Sequence, residues 1–430
     1  MKQNYKMKID KKIIILVIVI ILVAAGGVLI GLNINKDNKK FDENNNIPPG
    51  MASYSSTNNS DASVDTDDSD EDIDWSKYEN TKVSLSESYV IKEGGIYTFT
   101  GTLKDGSITV DTDDYVKIIL NDVSIYNSDG PCINIVESKT VVIELKGENT
   151  LESGETYSDT ELDGVIYSKA DLVIGGDGTL NITSNYEDAI KGKDDLKITS
   201  GTYNIKSADD GIIGKDSVYI LGGTFNIKSE GDGIKSSNDS DTDKGFVYIK
   251  DGKFNINSGS DGVQAITKLV IDGGTFNINA EEGLEATYVV INDGKITIES
   301  NDDGINASDK STFMTPTVEI NGGEITINMS SGDTDGIDAN GNIYVNGGTV
   351  NITGQSSFDY DNEGIIKGGT VIVNGEKVTT MPNQMMGPGG NQNGGQMMEP
   401  GGNQNGGPMR EPGNNNQRPN SNEMKGGSAR

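Results

Sequence analysis

The chain of 430 residues contains no histidine, which excludes imidazole catalysis and His-ligated zinc. Its single cysteine, Cys132, can form neither an internal disulfide nor a thiolate metal cluster, and it reads as a small core residue. Arginine occurs only at Arg410, Arg418 and Arg430, so the rest of the chain has lysine as its only cation. Aromatics make up 6% of the residues and hydrophobic residues 33%, against 56 glycines. That composition fits a thin-cored repeat protein better than a large globule. Positive charge is also scarce: 35 Lys and Arg face 66 Asp and Glu, a net charge of −31. That charge argues against nucleic acid as a partner, because its phosphates would be repelled.

There is one long apolar run, Ile13 to Leu32, preceded by Lys2, Lys6, Lys8, Lys11 and Lys12. Twenty helical residues span roughly 30 Å, the thickness of a bilayer's hydrocarbon core. No A-x-A cleavage site or lipobox cysteine follows. The run reads as a single-pass cell-membrane anchor with a cytoplasmic N-terminus (1–12), in preference to a cleaved signal peptide, and on either reading everything beyond it is exported. Residues 33–79 form a polar linker that grows acidic toward its end. Residues 381–430 repeat with a period of twelve ("MMGPGGNQNGGQ", "MMEPGGNQNGGP"), a Gly/Asn/Gln/Met/Pro composition that buries no core. Both flanks are expected to be disordered.

Between them, at 80–380, lies an internal repeat. Aligning the glycine before each Φ-x-Φ piece gives "GTLNI" at Gly178, "GTYNI" at Gly201, "GTFNI" at Gly223, "GKFNI" at Gly252 and "GTFNI" at Gly274. The series continues through Gly294, Gly323, Gly348 and Gly369, with loops inserted at Ser236–Gly245 and Ser308–Pro316. Each repeat holds three short β-patterned pieces. Three short strands in a turn of about 22 residues predict an all-β fold, a parallel β-helix.

In such a solenoid equivalent positions stack. The position before Gly-Φ reads Asp163, Asp188, Asp210, Asp232, Asp261, Glu282, Asp303, Asp335, Glu363. Two unit charges ~4.8 Å apart repel by about 1 kcal/mol in water and about 3–4 kcal/mol at an effective dielectric near 20. A turn dipeptide that caps local amides would explain a single Asp-Gly. The company these acids keep points to a cation. Glu281, Glu282 and Glu285 lie over Asp302, Asp303 and Asn306, which lie over Asp333, Asp335 and Asp338; farther up, Asp209 joins Asp210. Oxygen-only clusters of this kind suit Ca²⁺. Lys191 takes the place that Glu285, Asn306 and Asp338 fill below, so the coils at 261–338 are the strongest calcium candidate. Asp239, Asp241 and Asp243 in the first inserted loop match no EF-hand, since Lys244 stands where the glycine belongs.

Tyr203, Phe225, Phe254 and Phe276 recur two residues before Ile205, Ile227, Ile256 and Ile278. Period two places both sets inside as a core ladder. The intervening Asn204, Asn226, Asn255 and Asn277 then face outward.

The ordered series "GGIYTFTGTLKDGSITV", "DDGI", "SSNDSDTDKGFVYIKDG", "EGLEA", "NDDGINA", "DGIDANGNIYVNGG" and "FDYDNEGIIKGGT" resembles the carbohydrate-binding-domain family of bacterial surface proteins. The resemblance implies a right-handed, pectate-lyase-like parallel β-helix that binds calcium and polysaccharide, cellulose or acidic polygalacturonate. The family's acid-Gly motifs map onto Asp210, Asp232, Asp261, Glu282, Glu285, Asp303, Asp335 and Asp338. Lys191, Lys193, Lys215 and Lys235, flanking the early coils, are candidate contacts to uronate. Two rival readings are a calcium-dependent uronate lyase with Lys191 or Lys235 as base, and a structural rod stiffened by calcium. The absence of His, and of Arg from the repeats, argues against an enzyme.

Overall fold

The computed structural model describes residues 73–331 and 334–383. The apolar run at 13–32, the linker before Ile73 and the Gly/Asn/Gln tail lie outside the described residues, as does Asp333. No helix among the described residues is long and apolar enough to cross a membrane.

From Asn80 to Val373 the chain winds in coils, each strand pairing in parallel with its counterpart one coil on. Three strands make a coil. The first kind includes Asp195–Ile198, Ser217–Ile220 and Phe246–Ile249; the second includes Thr202–Ser207, Thr224–Ser229 and Lys253–Ser258. The third kind is short: Ile212–Gly214, Ile234–Ser236, Val263–Ala265, Leu284–Ala286. The inserted loops leave the register intact, since Phe225 pairs with Phe254 across the first and Ile296 with Ile325 across the second.

Side-chain alternation builds the interior. In the second sheet Tyr203, Phe225, Phe254 and Phe276 are buried, and their rings stack at 4.9, 4.9 and 4.4 Å, within 7° of parallel. Each stacked pair adds about 0.5–1.5 kcal/mol beyond its buried area. In the third sheet the first and last residues point inward, an Ile, Val or Leu and then Gly, Ser or Ala. Only the middle residue faces out. Cys132 is fully buried and its thiol is pushed up to about 12 by that burial, as befits a core residue.

Glycine has two separate duties here. Before the second-sheet strands it turns the corner with positive φ, as at Gly252 (φ 143°). After the acids its φ is ordinary and the constraint is space. A Cβ on Gly262 would lie 2.4 Å from Ile278 Cγ2 and 2.5 Å from the carbonyl of Gly283 in the next coil. The acid-Gly motif is therefore a coil-contact motif and not a left-handed turn.

At the C-terminal end Glu376–Val378 folds back antiparallel on Thr370–Val373. The turn between them, Asn374-Gly375, has φ of 52° and 84°, which suits a tight hairpin. Parallel stacking stops there.

Candidate functional site

The corner leading into the third sheet carries two adjacent columns. The first follows the backbone bonds that link Ala189, Gly211, Gly233, Gly262, Gly283 and Gly304 to the coil beyond: Asp188, Asp210, Asp232, Asp261, Glu282, Asp303, Asp335. The second is the outward middle residue of each short strand: Lys191, Ile213, Lys235, Gln264, Glu285, Asn306, Asp338, Asp359. Sequence alignment brings nearly all of these together correctly. Asp163 and Glu363 are the exceptions: Asp188 pairs with Gly164, which puts Asp163 one residue out of register, although its carboxylate still reaches Lys191. The first column passes from Asp335 to Ser356, whose hydroxyl donates to Asp335 Oδ1, while Glu363 opens a first-sheet strand beside Asn342. Its Glu-Gly-Ile imitates the motif on a different side of the coil.

Four Asp carboxylates in the first column, Asp188, Asp210, Asp232 and Asp303, divide their two oxygens between two tasks. Oδ1 accepts the backbone N–H of the next member: Asp188 from Asp210 at 3.0 Å, Asp210 from Asp232 at 2.7 Å, Asp232 from Asp261 at 2.9 Å, Asp303 from Asp335 at 3.0 Å. These are charge-assisted bonds, each worth about 1.5–3 kcal/mol. They stitch the corner where the backbone ladders are interrupted. Oδ2 is left for a cation.

In the early coils that cation is lysine. Lys191 Nζ sits 2.6 Å from Asp163 and 2.7 Å from Asp188; Lys235 Nζ sits 2.7 Å from Asp232 and 3.3 Å from Asp210. Burial alone would lower both lysines, but the paired carboxylates outweigh it and raise them, Lys191 to about 12. Both expected uronate contacts thus spend their charge inside the column. Lys193 lies 4.0 Å from Asp163 and stands over the Tyr167 ring; Lys215 is exposed.

From Asp261 onward the second column becomes Gln264, Glu285, Asn306 and Asp338, and the lysines stop. Asp261, Glu282 and Glu285 each place an oxygen within 4.8 Å of the others. Burial pushes Glu282 up to about 8 and Asp303 to about 7, and neighbouring carboxylates add to the first of these. Asp338 rises to about 6 for the same first reason, and Asp261 rises too, through burial and then Asp232. The Asn306 amide donates to both Glu282 oxygens at 3.2 and 3.3 Å. Asn306 itself is 8% exposed, and its Oδ1 is buried with no hydrogen-bond partner. A buried orphan oxygen beside three clustered carboxylates is a donor set that fits a hard cation. Lys310 reaches Glu285 from the second inserted loop at 2.5 Å, so cationic charge enters at one edge of this group.

Other candidates are set apart. Glu281, Asp302 and Asp209 are exposed, although Asp209 can still bring an oxygen to Asp188 and Asp210. Asp239, Asp241 and Asp243 are exposed, and no cluster among the described residues includes them. Asn238 organises their loop by accepting from Ser240 and Asp241, and Lys244 reaches back to Asp216. Sequence reasoning missed one acidic group at another corner: Asp171, Asp194 and Asp195 also converge within 4.8 Å. Its signal was available in the Asp before Leu of "ADLVI" and "DDLKI", one coil apart.

A family model described as carbohydrate-binding domain-containing protein matches residues 86–333 and 282–384, most of the described solenoid. This chain belongs to that family. A family relative from Acetivibrio thermocellus, itself described as a carbohydrate-binding domain-containing protein, is 36% identical over 135 residues, which are 29% of this chain and 47% of the relative. The chain thus matches about half the length of that relative. A solved structure, the gadolinium derivative of a polysaccharide lyase-like protein from C. thermocellum, is 23% identical with a TM-score of 0.33, covering 68% of this chain and 96% of that one.

Proposed function

We propose that the protein is a calcium-dependent polysaccharide-binding protein of the cell surface, taking acidic polygalacturonate or pectin, cellulose, or both. Family membership supports the carbohydrate; the change of the second column from lysine to oxygen donors at Gln264 carries the calcium. Asp261, Glu282, Glu285 and Asn306 would hold the first ion, with Asp303, Asp335 and Asp338 extending the donors along the axis. Bound Ca²⁺ would invert the local field of a −31 chain and so let it approach a polyanion. The anchor at 13–32 would hold the solenoid outside the membrane. A right-handed coil is supported by the strong preference of parallel crossovers for that hand.

The lyase alternative requires a lysine that can shed its proton. Lys191 and Lys235 are held protonated by their carboxylate partners, the reverse of a base poised for catalysis. The test is retention of the full chain on insoluble cellulose and on cross-linked polygalacturonate, with calcium and with chelator. Uronate retention that chelator abolishes, with no ultraviolet-absorbing product released, supports the proposal. Failure to retain either polymer under both conditions refutes it and leaves the column as structural ion binding.

A further inference from the structure

Away from the acid columns, the outer face of the second sheet holds a groove of about 490 Å³ that crosses four successive strands and so runs along the solenoid axis. Asn181, Asn204, Asn226 and Asn255 stand in its floor, one per coil, with Lys206 and Lys228 along one side. We propose that this groove is the glycan lane, and that a linear uronate chain lies in it with hydroxyls on the asparagine amides and carboxylates on Lys206 and Lys228. The proposal rests on the polysaccharide-binding reading and adds the place and the residues that meet the chain.

Three observations carry it. The first is charge. No acidic residue lines the groove, in a chain with 66 of them. Lys206 and Lys228 are exposed, paired in register one coil apart, and neither has an ion-pair partner among the described residues. Lys191, Lys235, Lys244 and Lys310 are all paired. Stacking two unneutralised ammonium groups is unfavourable unless an anion bridges them. The column they belong to reads Glu152, Thr183, Lys206, Lys228, Asn257, Asn279, Glu299, so positive charge is confined to the groove and bounded by acid at both ends.

The second is hydrogen-bonding capacity. Asn204 donates to Asn181 Oδ1 at 2.8 Å and Asn226 to Asn204 Oδ1 at 2.9 Å. Each of these amides is thereby fixed in orientation and keeps a second N–H and a second lone pair facing solvent, the complement of a sugar hydroxyl. The third is spacing. Asparagines recur once per coil, ~4.8 Å apart, and the two lysines stand on neighbouring coils, so a linear chain laid along the axis meets an amide at every coil and a cation at two of them.

The test uses the full chain and soluble polygalacturonate oligomers in calcium buffer, comparing wild type with Lys206→Glu/Lys228→Glu and with the milder Lys206→Gln/Lys228→Gln. The expected result is at least a tenfold loss of affinity for the charge-reversed protein and a loss of about threefold for the neutral one. The urea midpoint and its response to calcium should stay unchanged in both, because the side chains are exposed and make no ion pair with the columns among the described residues. Wild-type binding that both variants retain within twofold overturns the lane while leaving the general function standing. Wild-type binding of cellulose without polygalacturonate overturns the uronate assignment. A wild type that binds neither removes the function itself.

Discussion

Replacing Lys235 with glutamine tests whether lysine is the resident cation of the early coils. The shape is native to the site, because Gln264 holds the same register position one coil on. Two ion pairs disappear, at 2.7 and 3.3 Å. At an effective dielectric of 20 these are gross attractions of about 6 and 5 kcal/mol, most of which repays desolvation. Removing one partner of a fully buried pair costs about 3–5 kcal/mol. The Lys235 side chain is 26% exposed, so water recovers part of that and the expected loss is about 2–3 kcal/mol at pH 7 in chelator. Asp210, already raised by burial, is raised further once Lys235 is gone. A carboxyl raised in the folded state gives stability that is present below its unfolded value and lost as pH rises through the folded one. The deficit should therefore shrink as pH falls toward 4. Calcium should rescue the variant more than it helps wild type, because the emptied position recreates an oxygen-only site. The assay is the urea midpoint of the full chain at pH 7 and pH 4.5, with chelator and with calcium. A deficit below about 0.5 kcal/mol at pH 7, or one independent of pH, would refute the reasoning, since either means that the column needs no internal cation.

Three other outcomes follow from the same structure. Metal-free wild type should lose on the order of 3 kcal/mol between pH 5 and pH 8, as Glu282, Asp303 and Asp338 ionise through about 8, 7 and 6, all above their unfolded values; saturating calcium should flatten that slope in a urea titration series. Phe254→Ala removes a ring stacked on Phe225 and Phe276, and should cost about 3–5 kcal/mol, with Phe254→Leu recovering half or more in the same assay. Gly262→Ala forces a methyl against Ile278 and the Gly283 carbonyl, and should cost about 1–3 kcal/mol; a neutral result would return that glycine to a turn role.

The repeat was legible because its period is carried by positions that the stacked coils constrain. Tyr203, Phe225, Phe254 and Phe276 must match each other in volume, and the glycines after the acids must leave room for the next coil. What could not be read was which oxygen of each acid does what. Asp232 and Glu281 look alike in a row of carboxylates, yet one is 2% exposed and bonded to the next coil while the other faces solvent. Glu363 was misplaced because a three-residue motif does not encode which corner of the coil it occupies. The alignment puts Lys191 in the column of Glu285, Asn306 and Asp338, but it does not say that its amine, like that of Lys235, lies between the carboxylates of two coils and not out toward a ligand.

That register also settles how like charges can be stacked at all. The backbone N–H bonds to Oδ1 hold Asp188, Asp210, Asp232 and Asp303 in line, so the path of the column at those coils does not depend on what neutralises it. Lys191 and Lys235 can then supply the charge in the early coils and leave the later ones to a proton or a metal, with no change in the path of the chain. A covalently attached cation cannot be chelated away. The early coils should consequently keep their stability in chelator while the coils from Asp261 onward loosen, a gradient that amide hydrogen exchange resolves coil by coil. Uniform protection along the axis in chelator would mean that the carboxylates at Asp261, Glu282 and Glu285 need no metal, and the calcium assignment would fall with it.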